Sequence, residues 1–259
     1  MTGLQPVRLK LSRAAQHMEE LKASIREYAG GNPCEVIPES DSKATINISQ
    51  PPPDAIAVIA GEVLYQLRSA LDHLAFELVK LNPENLSLPK GWEEKCEFPI
   101  WTELRPGQIR PLAYGVFKSL PGITKNAHTF IELLQPYYGV GATNNCLKFL
   151  KGLSNIDKHR HLSLISTRAQ VREEVTWASG FRSASLAHFK HGTEIATPFV
   201  SADDECVDMQ RDVSAAVFFD EPEVLGGAVT VTVGRLSEDI LERMVAEILP
   251  GFERLMKNP

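Results

Sequence analysis

The sequence predicts an α+β protein: mainly a helical bundle, with an antiparallel β-sheet contributed by the C-terminal half and a closing C-terminal helix. In residues 1–162 apolar side chains recur every three or four positions, which is the period of a helix buried on one face. Residues 163–235 instead contain short β-branched and alternating runs, which are typical of strands. The helical period returns within residues 236–259. One compact domain with these three sections is expected.

The N-terminal section contains the best-defined predicted elements. An apolar stripe followed by two glycines predicts a helix near residues 8–29. Two β-branched runs around a polar turn predict a small hairpin near residues 34–48. Three consecutive prolines then stop regular structure, and Asp54 follows as the cap of a helix over residues 54–81. This helix has the broadest apolar face in the chain, so we expect it at the centre of the bundle.

Later elements are separated by prolines and glycines. Helices are predicted near residues 124–135 and 143–159, with Pro136 and a glycine-rich run between them. A terminal helix is predicted over residues 237–256, with Glu238 and Asp239 in its first turn. Strands are predicted at residues 163–168, 173–178, 183–189, 213–219 and 228–233.

Composition excludes several classes of protein. No window approaches the roughly 18 consecutive apolar residues of a membrane span, and residues 1–10 do not resemble a secretory signal, so a cytoplasmic protein without membrane contact is expected. The four cysteines lie far apart along the chain, which disfavours zinc and thiol redox chemistry. A net charge of −6 argues against general adhesion to nucleic acid, although a local basic patch is compatible with it. No cofactor is predicted.

A first polar cluster lies within the central helix. It consists of Arg68, Ser69, Asp72 and His73. At about 100° per residue, Arg68 and Asp72 lie roughly 40° apart on the helix, whereas Arg68 and His73 lie roughly 140° apart. The first two side chains can therefore form an ion pair. The cluster either lines a cleft, with Ser69 as a binding residue, or is a solvated helix face.

The spacing of Arg68 and His73 is an R-x4-H pattern, which resembles the motif of HEPN-type ribonucleases, helical bundles that cleave RNA without a metal ion. The resemblance implies that His73 takes the proton from a 2′-hydroxyl, that Arg68 stabilises negative charge on the phosphate and that Asp72 orients its neighbours. It also implies a homodimer with a shared cleft and, for a toxin, an antitoxin-like partner.

A second polar cluster ends the predicted helix over residues 143–159. Its candidate binding residues are Asn155, Asp157, Lys158, His159 and Arg160. Lys158 and Arg160 are suited to bind phosphate, His159 to carry a second proton, and Asn155 to orient a ligand through its amide. The alternative is structural, because cations in the last turn of a helix are favoured by the helix dipole without any substrate.

Four segments together are similar to an uncharacterised bacterial protein family. They are residues 67–78 (beginning LRSALDHL), 98–100 (FPI), 134–137 (LQPY) and 153–160 (LSNIDKHR). The resemblance spans roughly residues 55–162 and implies no established activity. It does imply that the two polar clusters belong together, so we expect them to meet in space.

A metal centre is the main alternative chemistry for these clusters. Asp72, His73, Asp157, His159 and His161 contain enough imidazoles and carboxylates for a centre of two histidines and one carboxylate. The adjacent Asp72 and His73 point about 100° apart on a helix, however, and the neighbouring cations would repel a metal ion. No metal is therefore assigned to the clusters. The isolated histidines His17 and His128 are expected on polar helix faces.

Three classes of function remain open from the sequence, and the third is a metal-binding helical bundle. The first is a HEPN-like, metal-independent ribonuclease or RNA-binding module. The second is a non-enzymatic protein that binds a small anionic ligand or a partner, in which the charged clusters form a structural ion network.

Overall fold

The computed structural model describes residues 3–40, 43–81, 87–104, 106–113, 115–139, 141–177, 179–180, 182–190, 192, 194–196, 206–225 and 232–257. It is α+β and mainly helical, as predicted. The longer helices are α1 (Gln5–Gly30), α2 (Asp54–Leu81), α4 (Lys125–Leu134), α5 (Ala142–His159), α7 (Val233–Arg243) and α8 (Leu249–Lys257). Two single-turn helices, α3 (Trp92–Lys95) and α6 (Pro222–Leu225), were not predicted.

Helix α2 lies at the centre of the helical packing. It contacts α1, α5, α7 and α8. Its pairing with α1 is antiparallel, since Gly3 lies beside Glu77 whereas His17 lies beside Glu62. Leu67, Leu71 and Leu74 on α2 are completely buried, as the broad apolar face of the sequence requires.

The C-terminal helix begins earlier than predicted. Its first residue is Val233, because the Thr232 side chain accepts a hydrogen bond from the Arg235 backbone N–H at 3.3 Å and caps the helix there. Residues 228–231 of the last predicted strand lie outside the described residues, and Val233 is helical, so the strand is wrong at its end. Met244–Ile248 form a π-helical turn between α7 and α8.

Two antiparallel three-stranded sheets accompany the helices in the part of the chain that the structure describes. The predicted hairpin is present as β1 (Cys34–Ser40) and β2 (Lys43–Ile48), and β5 (Glu194–Ala196) pairs with β2. In the second sheet, β3 (Leu164–Trp177) lies between β4 (Arg182–Lys190) and β6 (Cys206–Phe219).

The two separate strands predicted at residues 163–168 and 173–178 are wrong, because β3 runs without a break between them. The four residues that join them pair on both sides, with β4 and with β6. Two rows of backbone hydrogen bonds fix the extended conformation of these residues, 169–172, whose alternating apolar and polar side chains also fit a strand. Strand β6 likewise begins at Cys206, seven residues before the predicted start.

Candidate functional site

A short stretch of backbone without regular secondary structure, residues 97–101, lies against the helices without joining either sheet. We call it the clamped segment. Phe98, Pro99 and Ile100 are buried, so their peptide groups cannot rely on bulk water for hydrogen bonds. Side chains of α2 and α5, and that of the residue after α4, hydrogen-bond to these peptide groups instead.

Gln135, which follows α4, holds one end of the clamped segment. Its Oε1 accepts the Trp101 backbone N–H at 2.8 Å, and its Nε2 donates to the Pro99 carbonyl at 2.9 Å. The same Nε2 also donates to the Ile131 carbonyl at 2.9 Å, and the residue is completely buried. The glutamine of the LQPY segment thus joins α4 to the clamped segment through buried hydrogen bonds.

Arg68 and Asp72 hold the other end. Asp72 Oδ1 accepts the Phe98 backbone N–H at 2.9 Å, and Arg68 Nη2 donates to the Phe98 carbonyl at 2.9 Å. Arg68 Nη2 also lies 3.1 Å from Asp72 Oδ1, so the predicted ion pair between successive turns of α2 is present. Only 13% of the Arg68 side chain is exposed, which makes this guanidinium part of the scaffold.

Helix α5 supplies the remaining contact and one wall of a cleft. Lys151 Nζ donates to the Ile100 carbonyl at 2.7 Å. Lys151, Ser154, Asn155 and Lys158 follow the spacing i, i+3, i+4, i+7 and therefore line one face of α5. Between this face, the clamped segment and residues 116–119 lies a cavity of about 610 Å³, which we call the cleft.

A smaller cavity of about 160 Å³ adjoins the cleft and shares Arg68, Ser154 and Lys158 with it. Its other lining residues are Tyr65, Ser69, Asp72 and Asp157. The two polar clusters therefore meet in space, with Arg68, Ser69 and Asp72 facing Asp157 and Lys158 across adjoining cavities.

The cleft is richer in cations than in carboxylates. Its described lining contains Arg68, Lys118, Lys151 and Lys158 against Glu97 and Glu103. Arg68 and Lys151 are committed to the backbone of the clamped segment. Lys118 and Lys158 are exposed, and neither forms an ion pair with another of the residues described here.

Two carboxyl groups near the cleft hold their protons more tightly than usual. Burial raises the pKa of Asp72, although the nearby Arg68 guanidinium and the Phe98 N–H offset part of this effect. Burial also raises the pKa of Asp157, with a smaller opposing effect from His161.

Asp157 of α5 lies directly over Gly61 of α2, where any side chain in place of the glycine would collide with the Asp157 carboxylate. Gly61 thus permits the close approach of α2 and α5 that brings the clusters together.

Arg160 has a different role from the predicted phosphate contact. Its guanidinium binds Glu221 through two hydrogen bonds of 3.1 and 2.7 Å and also reaches Glu223 at 3.3 Å. Glu221 is 1% exposed and additionally accepts the Ser163 backbone N–H at 2.9 Å. The Arg160–Glu221 pair therefore joins the end of α5 to the start of α6, and Arg160 lies outside the described lining of both cavities.

The histidines lie apart from the cleft. Neither His73 nor His159 belongs to the described lining of the two cavities. The group Asp72, His73, Asp157, His159 and His161 also yields no set of three described side chains close enough to share a metal ion. His17 and His128 were expected on polar faces, and this is wrong: each is 4% exposed.

Sequence reasoning missed Lys118, Lys151 and Ser154 in the cleft and Glu221 beside Arg160. The polar i, i+3, i+4, i+7 pattern of α5, beside its leucine stripe, was a readable signal for Lys151 and Ser154. Lys118 and Glu221 lie in loop or turn regions, whose place depends on the tertiary fold.

Comparisons of the chain with protein-family models, with curated proteins and with solved structures gave no match. No helix within the described ranges combines the length and the hydropathy that crossing a membrane requires.

Proposed function

We propose that the protein is a non-enzymatic binding module whose cleft takes a small phosphate-bearing ligand in the cytoplasm. The observation that carries the proposal is the pair of exposed lysines, Lys118 and Lys158, beside a cleft of about 610 Å³ with more cations than carboxylates in its described lining. A lysine ammonium is a suitable point charge for phosphate. Ser154 and Asn155 add hydroxyl and amide groups on the same face of α5, which suits them to orient the ligand.

The binding proposal is favoured over catalysis by what the charged side chains already contact. Arg68 and Asp72 bind the Phe98 backbone, and Arg160 binds Glu221, so three charged candidates from the sequence have structural partners. This matches the alternative in which the clusters form an ion network. Under this proposal Arg68 and Asp72 position the wall of the cleft, while Lys118 and Lys158 bind the ligand.

Replacement of Lys158 by alanine tests the proposal. We expect it to weaken binding of the best ligand by about tenfold or more, since one charge-assisted hydrogen bond contributes about 1.5–3 kcal/mol. The measurement is isothermal titration calorimetry with inorganic phosphate, pyrophosphate, AMP and ATP at fixed ionic strength.

The matched control is Lys148→Ala, because Lys148 is an exposed lysine on the same helix that lies outside the described lining of the cleft. It changes the net charge equally and should leave the affinity within about twofold, since its charge acts only through screened solvent. Equal effects of the two substitutions, or no binding of any probe, would contradict the proposal.

Metal-independent RNA cleavage, with a homodimer and an antitoxin-like partner, is the second candidate. It is favoured by Arg68, which borders both cavities. The test is incubation of mixed RNA with the protein in EDTA, with His73→Ala in parallel. Cleavage by the native chain that His73→Ala abolishes would replace the binding proposal with a ribonuclease. Cleavage that survives the substitution would point to a contaminating nuclease.

A further inference from the structure

A further group of polar side chains, apart from the two clusters at the cleft, lies between α1 and α2. The His17 Nδ1 atom is 3.0 Å from Glu20 Oε2, on the same helix, and 3.2 Å from Glu62 Oε2, on α2. One ligand atom from each of these side chains lies within 4.8 Å of the other two. The His17 side chain is 5% exposed, whereas the two carboxylates are about half exposed.

The charges in this cluster are unbalanced. Neither Glu20 nor Glu62 pairs with a lysine or arginine among the described residues. A neutral imidazole has one N–H at most to offer from Nδ1, yet two carboxylate oxygens converge on that atom. A divalent ion in place of the proton would accept all three ligands and neutralise both carboxylates.

The distances from His17 Nδ1 to the two carboxylate oxygens suit a metal ion. Zinc binds imidazole nitrogen and carboxylate oxygen at about 2.0–2.2 Å, so neighbouring ligand atoms lie about 2.9 Å apart in octahedral and about 3.4 Å apart in tetrahedral coordination. The observed separations of 3.0 and 3.2 Å fall in this range. The exposed side of the two carboxylates leaves room for water at the remaining coordination positions.

We propose that His17, Glu20 and Glu62 form a binding site for a divalent first-row transition-metal ion, zinc or manganese. One imidazole and two carboxylates suit these ions, and zinc should bind more tightly than manganese. Because the ligands come from two helices, the ion would join α1 to α2. The site is separate from the cleft: none of its three ligands lies in the described lining of either cavity.

Titration calorimetry of the tag-free protein with zinc chloride, and separately with manganese chloride, tests this proposal. We expect saturable binding of one ion per chain and a higher melting temperature in its presence. Glu62→Gln and Glu20→Gln should each weaken binding by at least about tenfold, because each removes an anionic ligand. Both substitutions are nearly isosteric at half-exposed positions, and circular dichroism verifies that each variant is folded.

The matched control is Glu19→Gln. Glu19 is on the same helix and pairs with Lys22 instead of His17, so its loss should leave metal affinity within about twofold. Absence of saturable binding of both ions would overturn the proposal. So would binding that Glu62→Gln and Glu20→Gln leave unchanged, since the ion would then bind elsewhere on the chain.

Discussion

Replacement of Gln135 by alanine is expected to lower the free energy of unfolding by about 3 kcal/mol. The substitution removes the acceptor of the Trp101 N–H and the donor to the Pro99 carbonyl, both at a completely buried side chain. Each buried polar group that loses its partner costs about 1–3 kcal/mol, and the missing side chain leaves a small cavity as well. Urea unfolding, monitored by circular dichroism, measures this loss as a lower midpoint urea concentration with an unchanged m-value.

Gln135→Glu separates the hydrogen bonds from side-chain volume. The introduced carboxylate still accepts the Trp101 N–H but cannot donate to the Pro99 and Ile131 carbonyls. We expect a loss of stability at pH 7 at least as large as that of alanine, and a partial recovery as the pH falls and the carboxyl is protonated. Two results would contradict a structural role of these hydrogen bonds: a loss of stability in Gln135→Glu that does not depend on pH, or a loss below about 1 kcal/mol in Gln135→Ala.

The second large effect is expected for Asp72→Ala, with a loss of about 2 kcal/mol of unfolding free energy. The Phe98 N–H and the mostly buried Arg68 guanidinium both lose the Asp72 oxygen that they share. An unsatisfied buried donor costs about 1–3 kcal/mol. Since these contacts position one wall of the cleft, phosphate binding should also weaken, which the calorimetric titration above measures.

Asp72→Asn adds a pH dependence with a definite sign. Burial raises the pKa of Asp72 in the folded state, so the folded protein binds this proton more tightly than the unfolded chain does. The contribution of Asp72 to the free energy of unfolding therefore rises as the pH falls through its folded-state pKa. It levels off below the pKa of an aspartate in the unfolded chain, about 4. Since asparagine does not titrate, the stability difference should shift in favour of the native chain between pH 7 and pH 4. A shift of the opposite sign would mean that the Arg68 ion pair outweighs burial.

Much of the helical fold could be predicted from local patterns. The bounds predicted for α2, residues 54–81, are those observed, because the signals that set them are local in sequence: the apolar face of the helix, the prolines before it and Asn82–Pro83 after it. The continuity of β3 was missed, although its middle residues, 169–172, alternate apolar and polar side chains. The pairing of these residues with β4 on one side and β6 on the other is a tertiary property that their own sequence does not contain.

The candidate site likewise has features that the sequence predicted and features that depend on tertiary packing. The sequence by itself determined the two polar clusters, the Arg68–Asp72 pairing of adjacent helical turns and the expectation that the clusters meet. Only the tertiary structure decided their roles, because Phe98 and Glu221 are distant in sequence from the arginines that bind them. The same holds for His17, which was expected on a polar face but is buried where α1 packs against α2, beside the half-exposed Glu62. Helical period and spacing are local properties, whereas the partner of a charged side chain depends on which distant backbone or carboxylate the packing brings within hydrogen-bond distance.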